Sequence, residues 1–270
     1  MTNEVVKYNN EMNKIAFTGF SARELNVFYT LCSLMKEKGT NEIKLSYEKL
    51  IELSNLKDSR LTEEEQTKLF EEMYKNLLKL TFGFDDGDNI IYFNLFNRFH
   101  LTRSKKEISI KVNEDYSYVL NNLAGNFTRF ELLEFNSISG EYPKMLYRHL
   151  KQWKTTGKWV VQIDEFKKLF DVPKSYRMSN IDQKILKPSI KELTKIEDFK
   201  NLRVKKIDKL DSPAGKGKPV DKLLFEFNEW AKPKPTRKNN RTIEKVQYTL
   251  DTEEKADPKA IEEVLAKLKK

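Results

Sequence analysis

Cysteine, histidine and glycine are scarce in this chain: one, two and nine among 270 residues. The single thiol, Cys32, cannot close an internal disulfide, and its place in the apolar run FYTLCSLM marks it as buried, inert and kept in a reducing compartment. His100 and His149 have no Cys or His neighbour at metal-ligand spacing, so no metal site is expected and both read as structural or surface residues. The paired histidines and tyrosine of a rolling-circle nicking protein cannot be assembled from them. No two glycines fit G-x-x-x-x-G-K, which removes the phosphate-cradling loop and any expectation of ATP hydrolysis. The acidic runs EEE at 63–65 and DDGD at 85–88 fall at a helix start and in a turn, where structural use outweighs metal binding. No apolar run approaches the roughly 18 residues of a membrane span, and the start MTNEVVKYNN is polar, so neither span nor secretory signal is expected. These absences point to a cytoplasmic binding protein, without cofactor and not an enzyme.

What is abundant is charge, at 34% of residues with a net of +9. It is unevenly placed. Residues 1–135 hold 18 Lys+Arg against 21 Asp+Glu, residues 136–230 hold 21 against 13, and residues 231–270 hold 11 against 7. The nets are therefore −3, +8 and +4. Solubility alone gives no reason for such a division, whereas a polyanion meeting the second half does.

Along the chain, Ile15 to Phe17 suggests a strand, and Ser21 caps a helix over 22–38 whose stripe is Leu25, Phe28, Leu31, Leu34 and Met35. Gly39 ends it. A brief strand at 42–45 leads into a helix capped by Ser46, with Leu50, Ile51 and Leu53 inward. A third helix over 62–80 opens with a Thr62/Glu65 capping box and carries Leu69, Met73, Leu77 and Leu80 on its core side, while its first half is acidic. DNA contact there would fall to Lys75 and Lys79 or to the wing. Strands follow over 81–112, with a hairpin turn at Asp86-Gly87 expected to form the wing, then short helices at 114–124 and 128–138.

Residues 142–170 repeat 25–51 at a constant shift of 118: Leu146 on Phe28, Tyr147 on Tyr29, Lys154 on Lys36, Gly157 on Gly39, Ile163 on Leu45, Asp164 on Ser46, Leu169 on Ile51. The order helix, Gly, strand, capped helix, long helix, hairpin recurs too. The expected fold is α+β: two tandem winged-helix domains related by this repeat, 1–130 and 131–230, followed by a flexible tail, 231–270. The tail is a Pro- and Lys-rich linker, AKPKPTRKNNR, ending in DPKAIEEVLAKLKK, which suits a short helix.

Asp164 to Phe199 reads as a helix, a turn and a second helix before strands, the helix-turn-helix order in which the second helix enters the major groove. Ser179 or Asn180 serves as its N-cap. Ile181, Ile185, Ile190 and Leu193 form the inward stripe, and Asn180, Gln183, Lys184, Lys187 and Lys191 the outward face, mixing amides that read adenine with cations that hold guanine or phosphate. Taken alone, such a Lys-rich face is more often plain solvated surface. Pro188 either kinks this helix or opens a new one. The strands 199–210 and 218–230 flank a basic loop, SPAGKGK; Lys205, Lys206, Lys216 and Lys218 lie on or near it, suited to a phosphate backbone.

LYRHLKQWK, the capped helix DEFKKLF and ILKPSIKEL, with GFSARELNVFYTLCSLMKEK and KLSYEKLIEL before them, closely resemble the plasmid replication initiators that bind repeated origin sequences, iterons, over about residues 5–230. The resemblance implies duplex DNA as partner, opening of AT-rich DNA, contact with the host initiator and helicase, and homodimerisation through the first domain. Carried onto this chain, the main base-reading positions are Arg177, Ser179, Asn180, Gln183, Lys184 and Lys187. The acidic face of 63–72 departs from a plain reading helix and suits protein contact instead. A winged-helix repressor, or an adaptor that has lost DNA contact, fits the same residues.

Overall fold

The computed structural model describes residues 4–56, 61–78, 82–85, 87–88, 90–209 and 219–227. The long central helix α1 (Ala22–Met35) starts at a capping box in which Ser21 and Glu24 each accept the other's backbone N–H. It is buried nearly all round, from Leu25 to Ser33 and at Met35, because it is packed from several sides rather than along one stripe. Strand β2 (Ile43–Ser46), α2 (Tyr47–Leu53) and α3 (Glu63–Leu77) follow. Ser46 and Thr62 accept the N–H of Lys49 and Glu65, as the sequence leads one to expect.

The region after α3 differs from expectation. Instead of one hairpin there are two: β3 (Phe82–Asp85) with β4 (Ile90–Phe93), and β5 (Phe96–Thr102) with β6 (Glu107–Val112). Only the second pair joins β2, in the antiparallel order β2-β6-β5, and so forms the wing; β3 and β4, on either side of the expected Asp86-Gly87 turn, are a separate ribbon, and Asp86 itself lies outside the described residues. The break comes at Asn94, whose side chain turns back to donate to the Leu78 carbonyl, while the Asn113 N–H takes the Leu95 carbonyl. Residues 128–131 belong to a strand, not a helix. β7 (Phe127–Glu131) pairs with β1 (Val5–Asn9), drawn from the polar start, and Ile15 to Phe17 is not a strand. Short helix α4 (Leu132–Ser137) leads on.

The second unit runs α5 (Glu141–Gln152), β8 (Lys158–Gln162), α6 (Ile163–Leu169), then a helix in three pieces, and strands β9 (Arg203–Asp208) and β10 (Val220–Glu226). Its sheet order, β8-β10-β9, repeats that of the first. The chain thus folds as two winged-helix units of one plan. The shift of 118 holds through the glycines, where Gly39 and Gly157 both adopt left-handed φ, +61° and +67°. Beyond them it falls to 116: β8 starts directly after Gly157, and the residue equivalent to the cap Ser46 is Gln162, with Asp164 and Ile163 already inside α6. The cross-strand row Lys44–Ser109–His100 of the first sheet becomes Val160–Leu224–Lys205 in the second.

One core runs through both units. Tyr29 and Tyr147, repeat equivalents, flank the same two rings: Tyr29 lies 5.6 and 4.7 Å from Phe130 and Phe135, Tyr147 5.3 and 5.8 Å. Around them α5 buries four basic side chains. Arg148 donates to the Met12 and Ile15 carbonyls at 2.9 and 2.5 Å, Lys144 to the Phe135 carbonyl at 2.6 Å, and Lys151 bridges Glu134 and Asp198 at 2.8 and 2.6 Å. His149 stacks on Trp159 at 4.7 Å, and burial holds its imidazole well below the usual range, hence neutral. Buried charge persists only with partners, and here the partners are carbonyls and carboxylates from neighbouring elements. Among the described residues no helix is long and apolar enough to cross a membrane, and no His, Cys, Asp and Glu gather as a metal site.

Candidate nucleic-acid interface

The N-cap of the helix following the turn at 170–177 lies two residues ahead of the expected Ser179, and the helix itself begins at Met178. Arg177 is its N-cap, and Asn180 accepts the Arg177 N–H at 3.1 Å, closing the first turn from inside. α7 (Met178–Ile181) continues through a π turn, Asp182–Leu186, into α8 (Lys187–Leu193). In that wide turn the Lys187 N–H reaches the carbonyl of Asp182, five residues back. Pro188, with no N–H to offer and a ring that clashes in a regular helix, falls in the first turn of the new segment, where neither defect matters. The two alternatives left open by the sequence are thereby resolved: one helix, widened ahead of the proline.

The inward side carries Ile181, Ile185, Leu186 and Leu193, each no more than 1% exposed. Ile190 is only half-buried, and Ser189 goes inward beside it. The outward side presents Arg177, Ser179, Gln183, Lys184, Lys187 and Lys191, all exposed, with Asn180 half-buried by its capping bond. Sequence reasoning missed two residues that hold this face. The Lys184 ammonium lies 4.8 Å from the centre of the Tyr176 ring, a contact that restricts a flexible side chain. Asp182 takes Lys206 of β9 at 3.0 Å and so ties the wing to the helix. The only hint of Tyr176 was an aromatic in a polar turn; Asp182 had none.

Lys205 and Lys206 of the wing are not free cations. Besides the Lys206 pair, Lys205 and Arg203 reach the carboxylate of Glu226, at 2.9 and 3.0 Å, and Lys158 approaches it at 4.0 Å. Glu226 is 6% exposed, and the bond from Lys205 holds its carboxyl below the usual range. Lys216 and Lys218, with the loop around them, and the whole of 231–270 lie outside the described residues, as does Lys79.

The equivalent face of the first unit is arranged otherwise. Glu63, Glu64, Glu65 and Glu72 are exposed on α3, and two of its five acids are met by the unit's own wing: Lys106 pairs with Glu63, and Arg103 lies 3.8 Å from Glu71, which also takes Lys75 at 2.9 Å. The bond from Lys75 lowers the Glu71 carboxyl.

A family described as "Initiator Replication protein, WH1" matches residues 5–151, and another, "Initiator Rep protein, WH2", matches 162–227. A "Probable replication protein rep" of Bifidobacterium longum (strain NCC 2705) is 37% identical over 194 residues, 71% of this chain. The chain spans 65% of that relative's length. A solved structure, "Crystal structure of Pi initiator protein in complex with iteron DNA", superposes with a TM-score of 0.62 at 16% identity, covering 84% of this chain and 98% of that one.

Proposed function

The chain belongs to the initiator replication proteins, and from that membership we propose that it is a sequence-specific duplex-DNA binder that initiates plasmid replication from direct repeats at an origin. In this reading it promotes opening of the neighbouring DNA and brings in host replication proteins, acting in the cytoplasm as a binding protein, not an enzyme. One helix face supports the reading most: Arg177, Ser179, Gln183, Lys184, Lys187 and Lys191 face solvent together, their backbone fixed by a buried aliphatic side. Amides and cations at that spacing suit base edges and phosphates in a major groove. The Pi initiator of the same fold was solved on iteron DNA.

The unit 131–230 is then the main reader. The unit 1–130, whose third helix presents five carboxylates of which Glu63 and Glu71 are met by its own wing, serves dimerisation or protein contact and only auxiliary DNA contact. The basic loop bearing Lys216 and Lys218 is assigned to the phosphate backbone from its sequence, Lys205 and Lys206 being paired within the protein, and 231–270 is a basic linker.

The test is a fluorescent duplex carrying the direct repeats beside the gene, titrated from 50 to 200 mM salt. Affinity should fall steeply as counterions are recaptured, and a plasmid holding only those repeats should replicate when the gene is supplied elsewhere. Affinity indifferent to salt refutes DNA binding. Intact, salt-sensitive binding without plasmid maintenance leaves a repressor.

A further inference from the structure

We propose that Asp182 is a specificity-determining positioning residue of this interface: its carboxylate withholds Lys206 from phosphate and locks the wing strand to the reading helix. The proposal rests on the DNA-binding reading above and assigns a role to a residue of the wrong charge for it.

Between Arg177 and Lys191 Asp182 is the sole acid, adjacent to Gln183 and Lys184 and on the π turn that accommodates Pro188. A carboxylate there repels phosphate, so its presence calls for a compensating use. The structure supplies one. Its Oδ2 lies 3.0 Å from the Lys206 ammonium, with the two side chains 25% and 37% exposed. The neighbouring Lys205 leaves the strand on the opposite side for Glu226. Adjacent cations of β9 are thus bound on both faces of the sheet. Arg177, Lys184, Lys187 and Lys191 have no carboxylate at ion-pair distance among the described residues.

Binding to any sequence grows with the number of cations that displace counterions, whereas discrimination depends on base contacts held in one register. Pairing Lys206 inside the protein subtracts from the first and, by fixing the wing against the helix, adds to the second. The device is one of lowering affinity for wrong sites.

The experiment starts with a duplex recovered from a randomised pool by repeated binding to the wild-type chain, and a scrambled duplex of the same composition. Anisotropy titrations of both at several salt concentrations compare wild type with Asp182→Asn, Asp182→Glu, Lys206→Met and the Asp182→Asn/Lys206→Met pair. Asp182→Asn should tighten binding to the scrambled duplex about eightfold at 0.1 M salt and steepen its salt slope by about 0.9, one phosphate contact's worth. The selected duplex should gain less, so the ratio falls. Asp182→Glu should keep the wild-type ratio, Lys206→Met should leave the scrambled slope unchanged, and the double variant should lose the gain. An equal gain on both duplexes, an unchanged slope, a Lys206→Met slope already shallower by about 0.9, or a loss on both that tracks the folded fraction each overturns the proposal. If the wild-type chain selects no duplex, the DNA-binding reading itself fails.

Discussion

Replacing Arg148 by methionine removes a guanidinium that is 1% exposed and keeps most of its volume. Two acceptors lose their donor: the Met12 carbonyl, bonded at 2.9 Å, and the Ile15 carbonyl, at 2.5 Å. Each buried group left unpaired costs about 1–3 kcal/mol. The stacking of the guanidinium 4.6 Å over the Phe17 ring is lost as well, about 1 kcal/mol more. Against these stands the recovered cost of burying a charge, several kcal/mol in general. The carbonyls and the ring outweigh it, because the guanidinium is held by acceptors on two sides, and the expected net loss is about 2–4 kcal/mol. For a chain of this size that lowers Tm by roughly 4–16 °C. Urea unfolding followed by far-UV circular dichroism should show a lower midpoint at unchanged m-value. A variant as stable as wild type, or more so, would refute the reasoning and show that desolvation dominates.

Lys184→Ala should weaken binding to the preferred duplex by about 1–3 kcal/mol, roughly 5- to 150-fold, and binding to a scrambled one much less; equal losses in paired anisotropy titrations make it a phosphate contact. Burial brings the Lys144 ammonium down to about 7, so above that pH the unfolded chain holds a proton that the folded chain has released. Stability should therefore rise with pH from about 7 to 9, by up to roughly 1.4 kcal/mol per unit, and Lys144→Met should flatten that window in urea midpoints read at each pH. Pro188→Ala should change stability by less than about 1 kcal/mol, against roughly 3 for a proline relieved from a regular helix interior; a gain near the larger figure in equilibrium unfolding shows that the π turn is strained.

Helices were legible because their signals are local. Ser21, Ser46 and Thr62 each cap the helix they precede, and the stripe Ile181, Ile185, Leu193 faces inward as its spacing requires. What escaped depends on distant partners. Val5–Asn9 looks polar, yet it is a strand because Phe127–Glu131 arrives to pair with it, placing Val6 and Tyr8 opposite Phe130 and Thr128. The wing was assigned to the hairpin with the strongest turn signal, whereas sheet membership was decided by which strand met Ile43–Ser46. Lys144, Arg148 and Lys151 are of types that ordinarily stay in water; they are buried because α1, α4, α8 and β7 surround α5, and no residue of 141–152 announces it. Of the candidate site, the outward face of 177–191 was legible, while the pairing of Lys205 and Lys206 was not, since Glu226 and Asp182 are brought to them by the sheet and the helix.

Two copies of one fold thus present differently charged third helices, according to where their carboxylates fall. Screening at physiological ionic strength has a range of about 8 Å, so the net of +9 matters less than the balance along each third helix. On α3, from Glu63 to Lys75, five acids face two bases, and the unit's own Arg103 and Lys106 are drawn onto them. From Arg177 to Lys191 one acid faces four bases, and that acid is occupied by Lys206. The first surface therefore keeps five acids against four bases, its wing included, whereas on the second Arg177, Lys184, Lys187 and Lys191 have no carboxylate at ion-pair distance among the described residues. In the proposed reading it is this local surplus of cations that makes the second helix, not the first, the one to meet a polyanion.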